Sequence, residues 1–242
     1  MRNETTIQQF NSLQKDILSE YAQKWNGKKN KTTFRSAVKN FYGFEKDFGW
    51  NILLNSFYVI DDTELAKISF KQFELQGPSR HSDIGERYLR LYGLLNAIYQ
   101  QKLAIDNLLE VHKIVNKKKL SKQLSESKII ELRNKIGAHS TNYKSERIES
   151  EHNFDVYEIS RPKLDRDVIS LLRNQNEFEK YDLLKDVEIF DKMIESNLSI
   201  ITTKIIKKVY QNQGDFFKRL TYIEIIRNEG KDLGKTIIEF NK

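Results

Sequence analysis

The sequence predicts an all-α fold interrupted by one small β-hairpin insertion. Only two of the 242 residues are Pro, and most apolar side chains recur at intervals of three and four residues. This spacing places them on one face of a helix, which is buried when helices pack together. One short region alternates apolar and polar residues instead. With no internal repeat and no low-complexity linker, the chain is expected to form a single domain over residues 1–242.

The N-terminal portion, 1–76, predicts at least three helices. Residues 4–25 keep their apolar side chains on one face, and the GKKNK stretch ends this helix. The aromatic-rich region 33–73 keeps a similar spacing. It is expected to form two or more helices, with interruptions at Gly43 and Gly49.

The longest predicted helix follows the clearest break in the chain, GPSRHSD at 77–83. Ser82 or Asp83 is expected to cap it, because a short polar side chain accepts a hydrogen bond from a free N–H of the first turn. Its apolar stripe runs from Tyr88 and ends at His112. This position predicts a buried, hydrogen-bonded histidine rather than a catalytic one.

The second half of the chain predicts a basic loop followed by elements of both kinds. Residues 124–136 have the period of a helix that ends at a glycine. Residues 154–160 and 167–173 have the alternation and β-branched content of two strands, and they predict a hairpin within an insertion at 152–180. Helical period returns over residues 183–240.

Composition excludes several classes of functional site. The chain has no Cys, so disulfides, thiolate zinc sites and Cys nucleophiles are excluded, and its four His are far apart in sequence. The patterns GxxxxGK and GxGxxG do not occur. No cofactor is expected, and no acidic pair stands out as a magnesium site. The sequence lacks a signal peptide and a membrane-spanning segment, so we expect a soluble, cytoplasmic protein with no membrane partner.

Positive charge is concentrated in two windows. The net charge is +7, and residues 114–147 contain nine Lys or Arg and three Glu, whereas residues 28–39 contain five basic residues and no acidic one. A lysine run is typical of a solvated loop, but a basic field is also what attracts a nucleic acid. The candidate binding residues are Lys117, Lys118, Lys119, Lys122 and Lys135.

The first basic window contains the motif RNKIGAH, residues 133–139. Arg133 can hold two phosphate oxygens at once, and His139 can take and return a proton near neutral pH. On an unbroken helix, the two side chains diverge by about 120°. The prediction of a shared site therefore depends on Gly137, which is expected to end the helix in a left-handed cap and turn the chain back.

A plainer interpretation also fits these residues. Arg133 can be a solvated or helix-capping cation, and His139 an ordinary histidine bonded to a carbonyl. The same spacing recurs between Arg147 and His152, where no Asn follows the Arg and two intervening glutamates would repel a phosphate. Spacing alone is therefore weak evidence, and the prediction depends on the position of the motif at a helix end.

The motif resembles the signature of the HEPN superfamily, in which an Arg, usually followed by a polar residue, precedes a His near a helix end. Arg133, Asn134 and His139 match that signature, and the order of helices over 83–143 and in the later helix is similar. The resemblance implies an antiparallel helical bundle that dimerises and brings two Arg and His sets into one cleft. Residues 1–76 would be an addition to that bundle.

Many HEPN proteins are metal-independent ribonucleases of toxin, phage-defence or RNA-guided systems. The resemblance implies that the RNA 2′-hydroxyl attacks its own phosphate while His139 moves the protons. Arg133 would stabilise the charge that develops on the phosphoryl oxygens, and Asn134 would position the phosphate or the His. The implied partners are RNA, a second copy of the chain, and an antitoxin or defence-system protein.

The sequence departs from one HEPN pattern and leaves one alternative function open. HEPN toxins that pair with a nucleotidyltransferase carry a Tyr two residues after the His, but Thr141 stands there and the nearest Tyr is Tyr143. Modification at that position is therefore not expected. The alternative to an enzyme is a non-catalytic helical module that binds RNA, a nucleotide or a protein through the same basic surface, and a helical scaffold without nucleic acid is third.

Overall fold

A computed structural model describes residues 4–24, 33–44, 49–78, 83–138, 143, 154–164, 167–209 and 214–229. Over these residues, the protein is predominantly helical with one three-stranded antiparallel sheet, which confirms the predicted fold class. None of the described helices is both long and apolar enough to span a membrane. The helices are α1 (Thr6–Lys24), α2 (Phe34–Tyr42), α3 (Gly49–Phe73), α4 (Ile84–Val111), α5 (Lys117–Ser125), α6 (Lys128–Arg133), α7 (Leu183–Val209) and α8 (Gly214–Glu229).

Local sequence signals determine several helix ends. Asp83 Oδ1 accepts a hydrogen bond from the Glu86 N–H at 2.9 Å, which confirms the predicted cap of α4. Ser82, the alternative cap, lies outside the described residues. Gly43 ends α2 in the left-handed conformation at φ 69°, as expected for the break before α3.

The chain divides into two compact units, each assembled from separate segments. Unit 1 comprises Met1–Glu64, Leu103–Lys118 and Met193–Lys242, and unit 2 comprises Leu65–Lys102 and Lys119–Lys192. The boundaries lie inside α3, α4, α5 and α7. The predicted N-terminal portion therefore ends within unit 2 rather than at a unit boundary.

Each unit buries the apolar stripes that the sequence predicts. His112 is buried in unit 1, as expected, with its ring centroid 5.4 Å from that of Tyr42. The core of unit 1 includes Phe10, Leu13, Ile17, Leu53, Phe57, Ile60, Ile105, Leu109, Leu198 and Ile201. The core of unit 2 includes Leu91, Leu95, Ile98, Ile129, Ile130, Leu132, Ile169, Leu171, Leu183, Val187 and Phe190.

The sheet of unit 2 has one strand more than predicted. Its strands β1 (Tyr157–Ile159), β2 (Val168–Arg173) and β3 (Glu177–Asp182) pair in the order β1-β2-β3. The first two lie where the sequence predicts them. The third escaped prediction because its side chains are mostly charged and only Tyr181 is buried.

The turn between β2 and β3 contains a sequence signal that could have predicted β3. Asn174 and Gln175 both have positive φ, at 48° and 59°, and the Asn176 N–H donates to the Arg173 carbonyl at 2.9 Å. Two successive left-handed residues make a type I′ turn, whose twist matches that of a hairpin. An Asn-rich turn directly after a strand therefore predicts a returning strand even when that strand is charged.

Candidate phosphate-binding site

The predicted motif begins on α6, whose apolar face anchors it in unit 2. Ile129, Ile130 and Leu132 are at most 1% exposed. After Arg133 the helix does not end but widens into a single π-helical turn over Asn134–Ala138. Single π turns often occur at functional sites, because the wider spacing changes the direction of the side chains that follow.

Arg133 lies against an aromatic ring on the neighbouring helix. Its guanidinium carbon is 3.9 Å from the ring centroid of Tyr99 on α4, and its Nη1 donates to Asn134 Oδ1 at 3.1 Å. No Asp or Glu among the described residues forms an ion pair with Arg133. The ring and the amide therefore orient a half-buried cation whose charge no carboxylate in this part of the chain neutralises.

Sequence reasoning missed the role of Tyr99. The residue lies within the stretch of the apolar stripe of α4, where the helical spacing predicts burial between packed helices. Whether a Tyr in such a stripe meets a cation depends on which helix packs beside it. No local signal in the sequence could have found this contact.

The structure gives Lys135 a different role from the predicted one. Its side chain is only 5% exposed, and its Nζ forms ion pairs with Glu131 and Glu179, both at 2.6 Å. The same Nζ donates to the hydroxyl of Tyr181 at 3.0 Å and lies 4.7 Å from the ring centroid of Tyr157. Lys135 is therefore enclosed by carboxylates and rings and does not present its charge to a nucleic acid.

Hydrogen bonding keeps the enclosed lysine charged. Burial by itself lowers the pKa of Lys135, but hydrogen bonds from the ammonium to Glu131, Glu179 and Tyr181 outweigh burial and raise that pKa above the ordinary value of 10.5. Burial also raises the pKa of the Tyr181 hydroxyl, so this group stays neutral. Because Lys135 stays charged, its ion pair with Glu179 links the π turn to β3.

Gly137 does not end the helix as predicted. Over the described residues, positive φ occurs at Gly43 and Gly77 among the glycines, and Gly137 instead lies inside the π turn. The expected left-handed cap is therefore absent at this position, because the chain continues its helical path to Ala138. His139, which the prediction needs, lies outside the described residues, as do Arg147 and His152.

The predicted basic loop is a helix, α5. Leu120 and Leu124 stand four residues apart, and Leu124 is fully buried, so the segment has an apolar face to pack. Lys118, Lys119 and Lys122 are exposed. The structure therefore presents three of the predicted lysines on a helix rather than on an irregular segment.

The predicted lysines of α5 differ in their pairing. Lys117 is only partly exposed and its Nζ pairs with Glu110 at 2.5 Å, whereas Lys122 makes a longer contact of 3.5 Å with Glu126 on the exposed surface. An ion pair between two exposed side chains contributes little to stability. Lys118 and Lys119, which have no carboxylate partner among the described residues, are the strongest candidates for phosphate contacts.

The apolar stripe of α4 is used within the chain. Leu91, Leu95 and Ile98 are at most 1% exposed, so they are not available to a second copy. Leu89 and Tyr92 are 73% and 41% exposed. A self-association surface on this helix would therefore use Leu89 and Tyr92 rather than the three buried residues.

Comparison with known proteins identifies no relative. No protein-family model matches the chain, and no curated protein or solved structure shows significant similarity to it. Within the described residues, no three His, Cys, Asp or Glu side chains are grouped so that they could hold a metal ion.

Proposed function

We propose that the protein is a metal-independent endoribonuclease in which Arg133 and Asn134 hold the scissile phosphate and His139 moves protons. The observation that supports this function is the arrangement around Arg133. Its guanidinium is stacked on Tyr99 and bonded to Asn134, and no acidic residue in the described ranges pairs with it. This arrangement leaves a pre-oriented cation for an anionic ligand.

Stacking has a specific advantage for phosphate recognition. A guanidinium that contacts a ring through its face keeps its N–H donors in its plane, where they can meet two phosphate oxygens. Because Tyr99 and Asn134 already restrict the side chain, little ordering is needed when the phosphate binds. Fixed donors of this kind are most effective where negative charge increases in the transition state.

The chemical step follows from the resemblance to HEPN nucleases. The 2′-hydroxyl of RNA attacks the adjacent phosphorus, the bond to the 5′-oxygen breaks, and a 2′,3′-cyclic phosphate forms. His139 accepts the proton of the attacking hydroxyl or donates one to the leaving oxygen. Arg133 stabilises the negative charge on the phosphoryl oxygens during this exchange.

The test of this function is cleavage of single-stranded RNA in excess EDTA. We expect cleavage to persist and the 5′ product fragments to end in a 2′,3′-cyclic phosphate, which end mapping detects. Loss of all activity on chelation would contradict the proposed mechanism. Products with 3′-hydroxyl ends would also contradict it, because they require attack by an external nucleophile.

We further propose a homodimer, because one Arg and one His make only half of the cleft that the resemblance implies. A twofold arrangement lets one sequence supply both halves. The solution mass should correspond to two chains at micromolar concentration, and Leu89→Glu should shift it towards one chain. A monomer at that concentration would contradict this part of the proposal.

The setting we propose is cytoplasmic, in a toxin or phage-defence system with an antitoxin or defence-system partner.

RNA binding should depend on salt through α5. Lys118→Gln together with Lys119→Gln should weaken binding of all RNA sequences and flatten the plot of log affinity against log salt by about 1.4 units, since each of the two phosphate contacts contributes about 0.7 on a single strand. The matched control removes two exposed lysines of α7, Lys185 and Lys207, and should leave the slope unchanged. Equal effects of both double variants would assign binding to overall charge rather than to α5.

The second candidate function is an RNA-binding module without cleavage. One observation favours it: within the described part of the chain, the contacts that orient Arg133 are those with Tyr99 and Asn134, and neither involves a histidine. RNA that is bound but never cut, together with motif variants that lose only affinity, would select this function.

A further inference from the structure

The face of the sheet that points away from the core of unit 2 carries an open cavity that the proposed cleavage site does not use. The cavity has a volume of about 450 Å³ and lies between the turn Arg161–Lys163 and the side chains of Leu172 on β2 and Phe178 on β3. Phe178 is 57% exposed, and Val168 on the same face is exposed as well. Exposed apolar side chains beside a cavity are typical of a surface that another molecule covers.

Backbone groups are also free beside the cavity, because β3 is the last strand of the described sheet. The Leu183 N–H donates to the Asp167 carbonyl at 2.7 Å, so the odd-numbered residues of β3 point their N–H and C=O groups towards β2. Those of Phe178 and Lys180 point the other way and have no backbone partner among the described residues. An extended chain laid along this edge would form hydrogen bonds with both residues.

Cations without a carboxylate partner surround this edge. Arg161, Lys163 and Lys180 are exposed, and no carboxylate in the described ranges pairs with any of them. The Lys163 Nζ lies 4.7 Å from the ring centroid of Phe178, so its charge stands directly beside β3. Lys180 lies two residues after Phe178, and its side chain is therefore on the same face of the sheet.

The carboxylates near this edge already have partners or lie away from it. Glu177 pairs with Arg173 at 3.4 Å, and Asp182 Oδ1 accepts a hydrogen bond from the Lys185 N–H at 2.9 Å. Glu158 lines the cavity on β1, which β2 separates from β3. The edge therefore favours a ligand that brings negative charge.

We propose that β3 binds an extended acidic segment of a different protein as a fourth strand of the sheet. The backbone of that segment bonds to Phe178 and Lys180, an apolar side chain enters the cavity beside Phe178, and a carboxylate two residues along meets Lys180. RNA would match the cations and the ring but not the free N–H and C=O groups of the edge. A second copy of β3 matches poorly, because antiparallel self-pairing centred on Lys180 or Glu179 places like charges opposite each other.

The free edge can be tested with an eight-residue peptide that repeats Val-Thr-Asp-Thr, in which apolar and acidic side chains stand two residues apart. At millimolar concentration it should slow amide hydrogen exchange at Phe178 and Lys180 about tenfold, because both N–H groups become bonded. A peptide that repeats Val-Thr-Lys-Thr is the matched charge control and should leave this exchange unchanged. The amides of Ile169 and Leu171, which face β3 in the same register, report that the sheet stays intact.

Two variants at one position separate the backbone contribution from the charge. Lys180→Pro removes the outward N–H and should abolish binding of the acidic peptide, since Pro is tolerated in an edge strand where the N–H faces solvent. Lys180→Gln keeps that N–H and should weaken binding only about threefold, the scale of one exposed ion pair. Phe178→Ser removes an exposed ring and should weaken binding about tenfold, which tests the cavity independently of the proline variant.

Unchanged exchange at Phe178 and Lys180 in the presence of the acidic peptide would overturn the proposal, as would equal slowing by the basic peptide. Slowing by a single-stranded oligoadenylate but not by the acidic peptide would assign this face to RNA, and slowing that grows with protein concentration alone would assign it to a second copy. Either result overturns the acidic partner. The inference goes beyond the proposed cleavage: Arg133→Ala should abolish cleavage and leave peptide binding intact, so the two can fail separately.

Discussion

Replacing Arg133 or His139 with Ala should lower the rate of RNA cleavage about 100-fold or more in excess EDTA. That is the usual scale for losing acid-base help or a pre-oriented charge donor. Arg133→Lys should recover only part of the loss, because an ammonium is a point charge and cannot hold two oxygens in one plane. Single-turnover rates at saturating protein measure these effects separately from RNA affinity.

Variants of the second Arg and His pair are the matched controls. Arg147→Ala and His152→Ala remove the same two side-chain types at similar spacing and should retain activity. Tyr99→Phe keeps the ring beneath Arg133 and should also retain it, whereas Tyr99→Leu should lower the rate about tenfold, since it removes the cation–π contact. Equal losses from both pairs would contradict the assignment of the site to Arg133.

Lys135→Met should lower the free energy of unfolding by about 2 kcal/mol. The substitution keeps the length of the side chain but removes the ammonium that neutralises Glu131 and Glu179. Breaking a fully buried pair costs about 3 to 5 kcal/mol, and the cost is smaller here because both carboxylates are partly exposed. Urea unfolding measures the difference.

Two comparisons test the reason for that loss. Lys128→Met changes an exposed lysine on the same helix, α6, and should stay within about 0.5 kcal/mol of the unchanged chain. Adding Glu179→Gln to Lys135→Met should restore part of the stability, because it removes the carboxylate charge that the substitution leaves without its partner. A double variant as unstable as the sum of both single variants would show that the charges do not interact.

The pH dependence of this contribution follows from the direction of the pKa shift. The pKa of Lys135 is raised on folding, so the stabilisation is fully present below the ordinary value of 10.5 and is lost only as the pH rises through the higher folded-state pKa. The stability difference between Lys135→Met and the unchanged chain should therefore stay constant from about pH 6 to about pH 9.

Sequence reasoning was most successful where the determining interactions are local. The apolar period predicted the helices, and Asp83 and Gly43 predicted their ends, since caps act within one turn. The prediction of a basic loop, where the structure has α5, was wrong for a related reason. The run of lysines was considered as charge alone, although Leu120 and Leu124 beside it have helical spacing.

The candidate site shows where such reasoning ends. Counting charges grouped Lys135 with the surface lysines, because a charge count cannot tell which side chains face water. Its partner Glu179 lies 44 residues away on the strand that was not predicted. Arg133 likewise meets Tyr99 only because α4 packs beside α6.

The sequence by itself determined that the chain is helical, where most helices begin and end, and that Arg133, Asn134 and His139 stand together in a basic window. Only the tertiary structure decided that the helix widens past Gly137, that Lys135 is enclosed, and that Arg133 is oriented by a ring and left without a carboxylate among the described residues. Helical period and capping depend on neighbours within about four residues. The surroundings of a buried or stacked cation depend on which distant segments pack against it.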